Sequence, residues 1–141
     1  HFFQKLKVLN LVRPGFRDLW MGGEKILIHP GSGSNKKNWG PENFMKLYHK
    51  IGPRKCRFVL GPVEMEQDFA WPENAAKPES LVELKDALIH SRGLVSNDSG
   101  VAHLAGYLGV PTLALFLATD PDVWGPRGKR VAISDLTPER I

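Results

Sequence analysis

VSNDSGVAHLAGYLGVPTLALF (residues 95–116) reads as strand, helix and strand in immediate succession. The apolar run GLVS (93–96) breaks at Asp98-Ser99-Gly100, three small or acidic residues that lead into VAHLAGYL (101–108). That segment has the length of a short helix, and Gly109 stops it. Pro111 then precedes TLALF (112–116), a second apolar run. Runs of this length, bounded by turn residues and apolar throughout, are what strands buried on both faces look like.

Working outward, the same rhythm recurs upstream. KILIH (25–29) and RFVLG (57–61) are two further short apolar strands. Between them PENFMKLYHKI (41–51) opens with Pro at a helix start and sets Phe44, Leu47, Tyr48 and Ile51 at helical spacing. SLVELKDALIH (80–90) places Ser80 and Glu83 as a capping box, with Leu81, Leu84 and Leu88 on one face. Strands alternating with helices predict a parallel sheet covered on both sides. The fold class is therefore α/β, a Rossmann-like three-layer domain. Internal repeats and low-complexity segments are absent from the sequence.

The 141 residues suffice for one domain with a sizeable core. At 42% hydrophobic and 24% charged the composition is that of a soluble globular protein. No apolar run approaches a membrane span and no secretory signal opens the chain. One cysteine, Cys56, allows neither an internal disulfide nor a cysteine zinc site, which fits a cytoplasmic location. The net charge of +4 favours anionic ligands, but the charges are scattered. Nucleic-acid binding would need a basic stripe with interleaved aromatics, and none is present. A phosphorylated small ligand suits the balance better.

Residues 1–24 read as a linker or the remnant of a preceding segment. FFQKLKVLNLV can be a short helix, whereas RPGFRDLWMGG is turn-rich. The domain proper is expected over 25–141. The chain opens on His1, and Thr137-Pro138 begin a helix at its very end, so we expect a larger parent protein.

In a parallel sheet ligands bind beyond the carboxyl ends of the strands, where the polar segments 29–40, 61–68, 96–100 and 117–127 should converge. HPGSGSNKKNWG (29–40) concentrates Gly31, Ser32, Gly33, Ser34, Lys36 and Lys37 ahead of a helix. Glycines let backbone amides approach an anion and a lysine neutralises it, although a solvated turn has the same composition and the loop is no Walker A. Ser99 and Gly100 stand at a helix N-terminus, where free amides and the helix dipole attract an anion. Asp98 either caps that helix, orients donors, or accepts the hydroxyls of a sugar attached to the phosphate. His103, one turn in, is either a satisfied helix histidine or a group reaching the anion. Glu64 and Glu66 are either a ribose-binding carboxylate or the acidic first turn of a helix. LATDPDVWGPRG (117–128) can fold over the site or pack as a turn on Trp124.

HPGSGSNKKNW (29–39), NDSGVAHLAGYLGVPTLALF (97–116) and TDPDVWGP (119–126) together resemble the C-terminal half of the family 9 glycosyltransferases, the lipopolysaccharide heptosyltransferases of the two-domain GT-B fold. The resemblance runs with gaps from about Lys25 to Ile141. It implies that this half binds an ADP-activated heptose, that the acceptor lipopolysaccharide core is bound by an N-terminal domain absent here, and that transfer inverts the anomeric carbon. It implies no metal and no cofactor, a catalytic base outside this chain, and a segment that binds donor without transferring it. A cytoplasmic parent with peripheral association at the inner membrane would follow. Carried onto this sequence, the resemblance makes Lys37 the donor-phosphate lysine and Ser32 and Ser34 the loop hydroxyls. Glu64 or Glu66 becomes the ribose carboxylate, and Asp98, Ser99, Gly100 and His103 the pyrophosphate and sugar element. Lys37 and Asp98 would stabilise leaving group and donor. Leu117-Ala118 replace the family's usual Gly-Pro before Thr-Asp-Pro. The alternatives are a GT-B domain for a GDP or UDP sugar, or a degenerate nucleotide-binding module without transferase activity.

Overall fold

The computed structural model describes residues 18–31, 39–97, 99–115 and 131–134. Five strands form one sheet: β1 (Ile26–His29), β2 (Cys56–Phe58), β3 (Gly93–Asn97), β4 (Thr112–Leu115) and β5 (Val131–Ser134). Among the described residues four helices accompany them: α1 (Pro41–Ile51), α2 (Pro62–Glu66), α3 (Leu81–Ile89) and α4 (Gly100–Tyr107). The strand order is β2-β1-β3-β4-β5, and every pair is parallel.

Four of these strands lie where the apolar runs predict them; β5 is an addition. VAIS is a short run behind a long polar, proline-containing segment and, among the described residues, pairs with β4 alone, so it lacks the uninterrupted apolar character of the central strands. The second strand also differs. Ladder pairing covers Cys56–Phe58, and Val59 then continues as an isolated parallel bridge to Ala76. The polar segment 61–68 contains α2, which starts with Pro62 at N1 and has Glu64 in its first turn, one of the two readings given above.

Strand alternation divides the apolar side chains into two cores. Leu27, Val59 and Leu94 meet Leu84 and Leu88 of α3 and Val101 and Ala105 of α4 on one face. Ile28, Phe58 and Leu115 meet Phe44 and Tyr48 of α1 on the other. There Tyr48 stacks on Phe58 at 5.1 Å and Trp39 meets Phe44 edge-on at 5.0 Å, geometries that add to simple burial. Burying a side chain such as Phe44 contributes about 1.5–3 kcal/mol.

The helix ends follow their sequence signals. Gly40, at φ 102°, admits α1 at a backbone angle that costs other residues, and Pro41 takes N1. Ser80 Oγ accepts the Glu83 amide, while Glu83 Oε2 accepts the amide of Glu79, one residue before the position of a standard capping box. Residues 19–22 cover the C-terminal ends of α3 and α4. Leu19 donates to Leu108 O, Met21 and Gly22 donate to Ile89 O, and the Trp20 indole donates to Ser91 O. These bonds satisfy carbonyls that a helix end leaves orphaned.

Candidate functional site

The sheet order fixes where a ligand can sit. From β1 the chain goes through α1 to β2 on one side, and from β3 through α4 to β4 on the other. Helices α1 and α4 pack on opposite faces. The turns that leave β1 and β3 therefore lead to opposite faces, the topological switch point at which open α/β sheets place a ligand crevice.

The wall that follows β1 is held from several directions. His29 Nδ1 lies 2.9 Å from Val59 O; because a carbonyl only accepts, this nitrogen carries the proton. Glu64, at the third position of α2, is buried. Its Oε1 accepts the Gly61 amide at 2.9 Å and lies 3.7 Å from His29 Nδ1, too far for a hydrogen bond. The Glu64 carboxylate rests on Gly31, where a β-carbon would fall 2.5 Å from the carboxyl carbon. The glycine is required by this close approach, since its φ is not among the positive ones. Beyond the Ser32–Asn38 segment, Trp39 donates its amide to Asn97 Oδ1 at 3.0 Å and accepts from Asn43 Nδ2 at 2.7 Å. Asn97 Nδ2 in turn donates to Pro30 O at 2.9 Å. The Trp39 indole N–H is buried and finds no acceptor among the described residues.

The wall that follows β3 is the start of α4. Ser99 is its N-cap, and the serine hydroxyl accepts the Ala102 amide at 3.3 Å. Ser96 Oγ donates to Asn97 O, so in its 3.0 Å contact with Ser99 Oγ it must accept the Ser99 proton. The Ser99 hydroxyl is thus committed within the protein. What α4 offers outward is backbone: the amides of Gly100 and Val101 have no acceptor among the described residues. Such donors, with the helix dipole behind them, suit a helix start to an anion. His103, mostly buried, sits in the first turn of this helix and donates its amide to Ser99 O.

Of the residues singled out in the sequence, Glu64, Ser99, Gly100 and His103 thus lie at this edge of the sheet. Glu66 is exposed on α2. Ser32, Ser34, Lys37 and Asp98, with the 117–127 segment, lie outside the described residues. The sequence alone singles out Gly31 only as one of the loop glycines, and it gives His29, Trp39 and Asn97 no role. An asparagine closing an apolar strand is the one local signal that was there to use. Among the described residues no group of three or more His, Cys, Asp or Glu is placed to hold a metal ion, and no helix is long and apolar enough to cross a membrane. Cys56 is buried, its Sγ 3.2 Å from Gly52 O; burial pushes the thiol up, partly offset by the Lys25 charge, which suits a packing residue and not a nucleophile.

Known proteins agree with this architecture. The chain aligns with E. coli heptosyltransferase WaaC solved with ADP at 25% identity and TM-score 0.69, over 84% of this chain and 42% of that one. The same E. coli protein with ADP-2-deoxy-2-fluoro heptose gives 24% identity and TM-score 0.63, over 79% and 36%. E. coli ADP-heptose lps heptosyltransferase II gives 18% identity and TM-score 0.63, over 97% and 49%. The chain spans less than half the length of each. No curated protein matches its sequence. The model of glycosyltransferase family 9 (heptosyltransferase) matches residues 13–140, nearly the whole length, and the chain belongs to that family.

Proposed function

We propose that this chain is the donor-binding half of a GT-B glycosyltransferase that moves heptose, with inversion and without a metal, from ADP-heptose to the inner core of lipopolysaccharide. The observation that carries the reading is the placement of two turns at the β1/β3 switch point. On one side stands the neck of a glycine, serine and lysine segment, on the other the amides of Gly100 and Val101, which have no acceptor among the described residues. Ligands named in the E. coli structures, ADP and a fluorinated ADP-heptose, have the diphosphate such a crevice would suit.

In this reading an acceptor hydroxyl attacks the anomeric carbon, the bond from that carbon to the β-phosphate oxygen breaks, and its electron pair leaves with ADP. The transition state is oxocarbenium-like, and the diphosphate gains a negative charge as the bond opens. Lys37, the Ser32 and Ser34 hydroxyls and the α4 amides would stabilise that charge, in place of a cation. Asp98 would accept hydroxyls of the sugar, with His103 close to the same group. Of the two acidic candidates, Glu64 suits the ribose better. It lies against the start of the loop, and its Oε2 has no partner among the described residues, whereas Glu66 faces solvent. The acceptor saccharide, the base that deprotonates it and any peripheral contact with the inner membrane belong to the part of the fold that this chain does not span.

Titration calorimetry with ADP tests the donor site. Lys37→Ala should weaken ADP about ten- to a hundredfold, the usual loss for a hydrogen bond to a charged group. An unchanged dissociation constant removes Lys37 from the phosphate. Competition with GDP and UDP reads the nucleotide base: equal affinities would return the donor to an unspecified nucleotide sugar.

A further inference from the structure

We infer that Asn97 is a positioning residue that couples the two anion-holding turns, tying the stems at Pro30 and Trp39 to the end of β3, two residues before the cap of α4. This rests on the donor-site reading above and adds to it a group that touches no ligand.

Asn97 is fully buried at the last position of β3. Its carboxamide has one acceptor oxygen and one donor nitrogen, and each holds a backbone group on a different stem of the same segment. Nδ2 donates to Pro30 O, just before Gly31; Oδ1 accepts the amide of Trp39, just after Asn38. One side chain therefore closes the neck of the segment that contains Lys37. Each stem has further support. Gly31 lies under the Glu64 carboxylate, and Trp39 is held through its carbonyl by Asn43 and through its ring by Phe44. Among the described residues, the Asn97 side chain joins one stem to the other.

Its backbone does the second half of the work. Asn97 pairs in register with Leu115 of β4, accepts the Ser96 hydroxyl at its carbonyl, and stands two residues before Ser99, the cap of α4. The neck of one turn and the root of the other thus meet in a single residue within the sheet. Loss of the carboxamide leaves a buried N–H and a buried C=O without partners and frees the Trp39 stem to move away from β3. A lysine on that segment would then meet a diphosphate at α4 in a wider range of placements, and the grip would weaken even though the lysine remains.

The test is a double-mutant cycle read by ADP titration: wild type, Asn97→Ala, Lys37→Ala and the double variant, with Asn97→Ser in parallel as a milder change should the alanine variant not fold. Each Asn97 variant should weaken ADP about tenfold in the wild-type background and by less than about twofold once Lys37 is already alanine, because effects that act through one group do not add. A merely structural asparagine would give losses that add in full. If Lys37→Ala weakens ADP while the Asn97 variants bind as tightly as wild type, or if the losses add, the coupling is refuted and the donor site stands. If Lys37→Ala leaves ADP binding unchanged, the donor-site reading falls and the coupling falls with it.

Discussion

Replacing Gly31 with alanine probes the contact that fixes the start of the crevice, and the structure predicts an effect whose sign depends on a second residue. A β-carbon at Gly31 would lie 2.5 Å from Cδ and Oε1 of Glu64 and 2.6 Å from Oε2, so the carboxylate has to leave. The backbone itself raises no objection, since the positive-φ glycines among the described residues are Gly22, Gly40, Gly52 and Gly109. What the substitution costs is therefore what the carboxylate holds, the buried Gly61 amide. Giving up a hydrogen bond to a charged acceptor costs about 1.5–3 kcal/mol. For a chain of this size that corresponds to a melting point lower by roughly 4–9 °C, at roughly 3 °C per kcal/mol. In a Glu64→Ala background the obstruction is gone. There Gly31→Ala should stabilise the fold by about 0.4–1 kcal/mol, through the smaller entropy of its unfolded chain. Urea unfolding of the four proteins, with m-values compared to confirm a common unfolded state, measures both differences. Equal costs in the two backgrounds would refute the assignment of Gly31 to the Glu64 contact.

Two further outcomes can be checked on the same protein. Ser99→Ala removes the cap of α4 together with the bond to Ser96, and should cost about 1–2 kcal/mol in urea unfolding; an unchanged midpoint would show that the hydroxyl caps nothing. Cys56 gives a pH dependence. Its folded thiol titrates above the ordinary value, so the native state keeps a proton that the unfolded chain releases. Its contribution is complete below the unfolded thiol value and is lost as pH rises through the folded one. Stability should fall on the alkaline side, and Cys56→Ala should flatten that fall; an alkaline slope identical in both proteins would contradict the buried, protonated thiol.

The parts of the fold legible in the sequence are those decided by local pattern. The four apolar runs, the Pro41 start of α1 and the Ser80 cap all announce themselves within a few residues, whereas the cap of α4 is Ser99 where the sequence offered Asp98. Strand β5 escapes because VAIS follows a long polar segment and rests on one neighbour only, so its pairing is settled by β4 and not by its own pattern. Glu64 shows the limit for function. A glutamate at the third position of a helix is a capping signal on its own, and α2 does use it so. That the same carboxylate also covers Gly31 depends on the separate paths of β1 and β2 beyond the sheet. Asn97 is less legible still, for its partners lie 67 and 58 residues away.

The chemistry of the crevice explains why a carboxamide, of all side chains, suits that neck. A diphosphate bound at the α4 amides would repel a carboxylate at position 97 through a medium that screens poorly. A cationic side chain there would need a buried counterion, and it could not accept the Trp39 amide at all. An apolar residue of similar size would fill the space but leave the Pro30 carbonyl and the Trp39 amide buried and unpaired. Asparagine adds no charge, accepts and donates from one short branch, and loses few rotamers on burial. In the proposed donor site it would leave the electrostatics to groups that face the ligand, while a neutral group that does not face it would set the distance between the two turns.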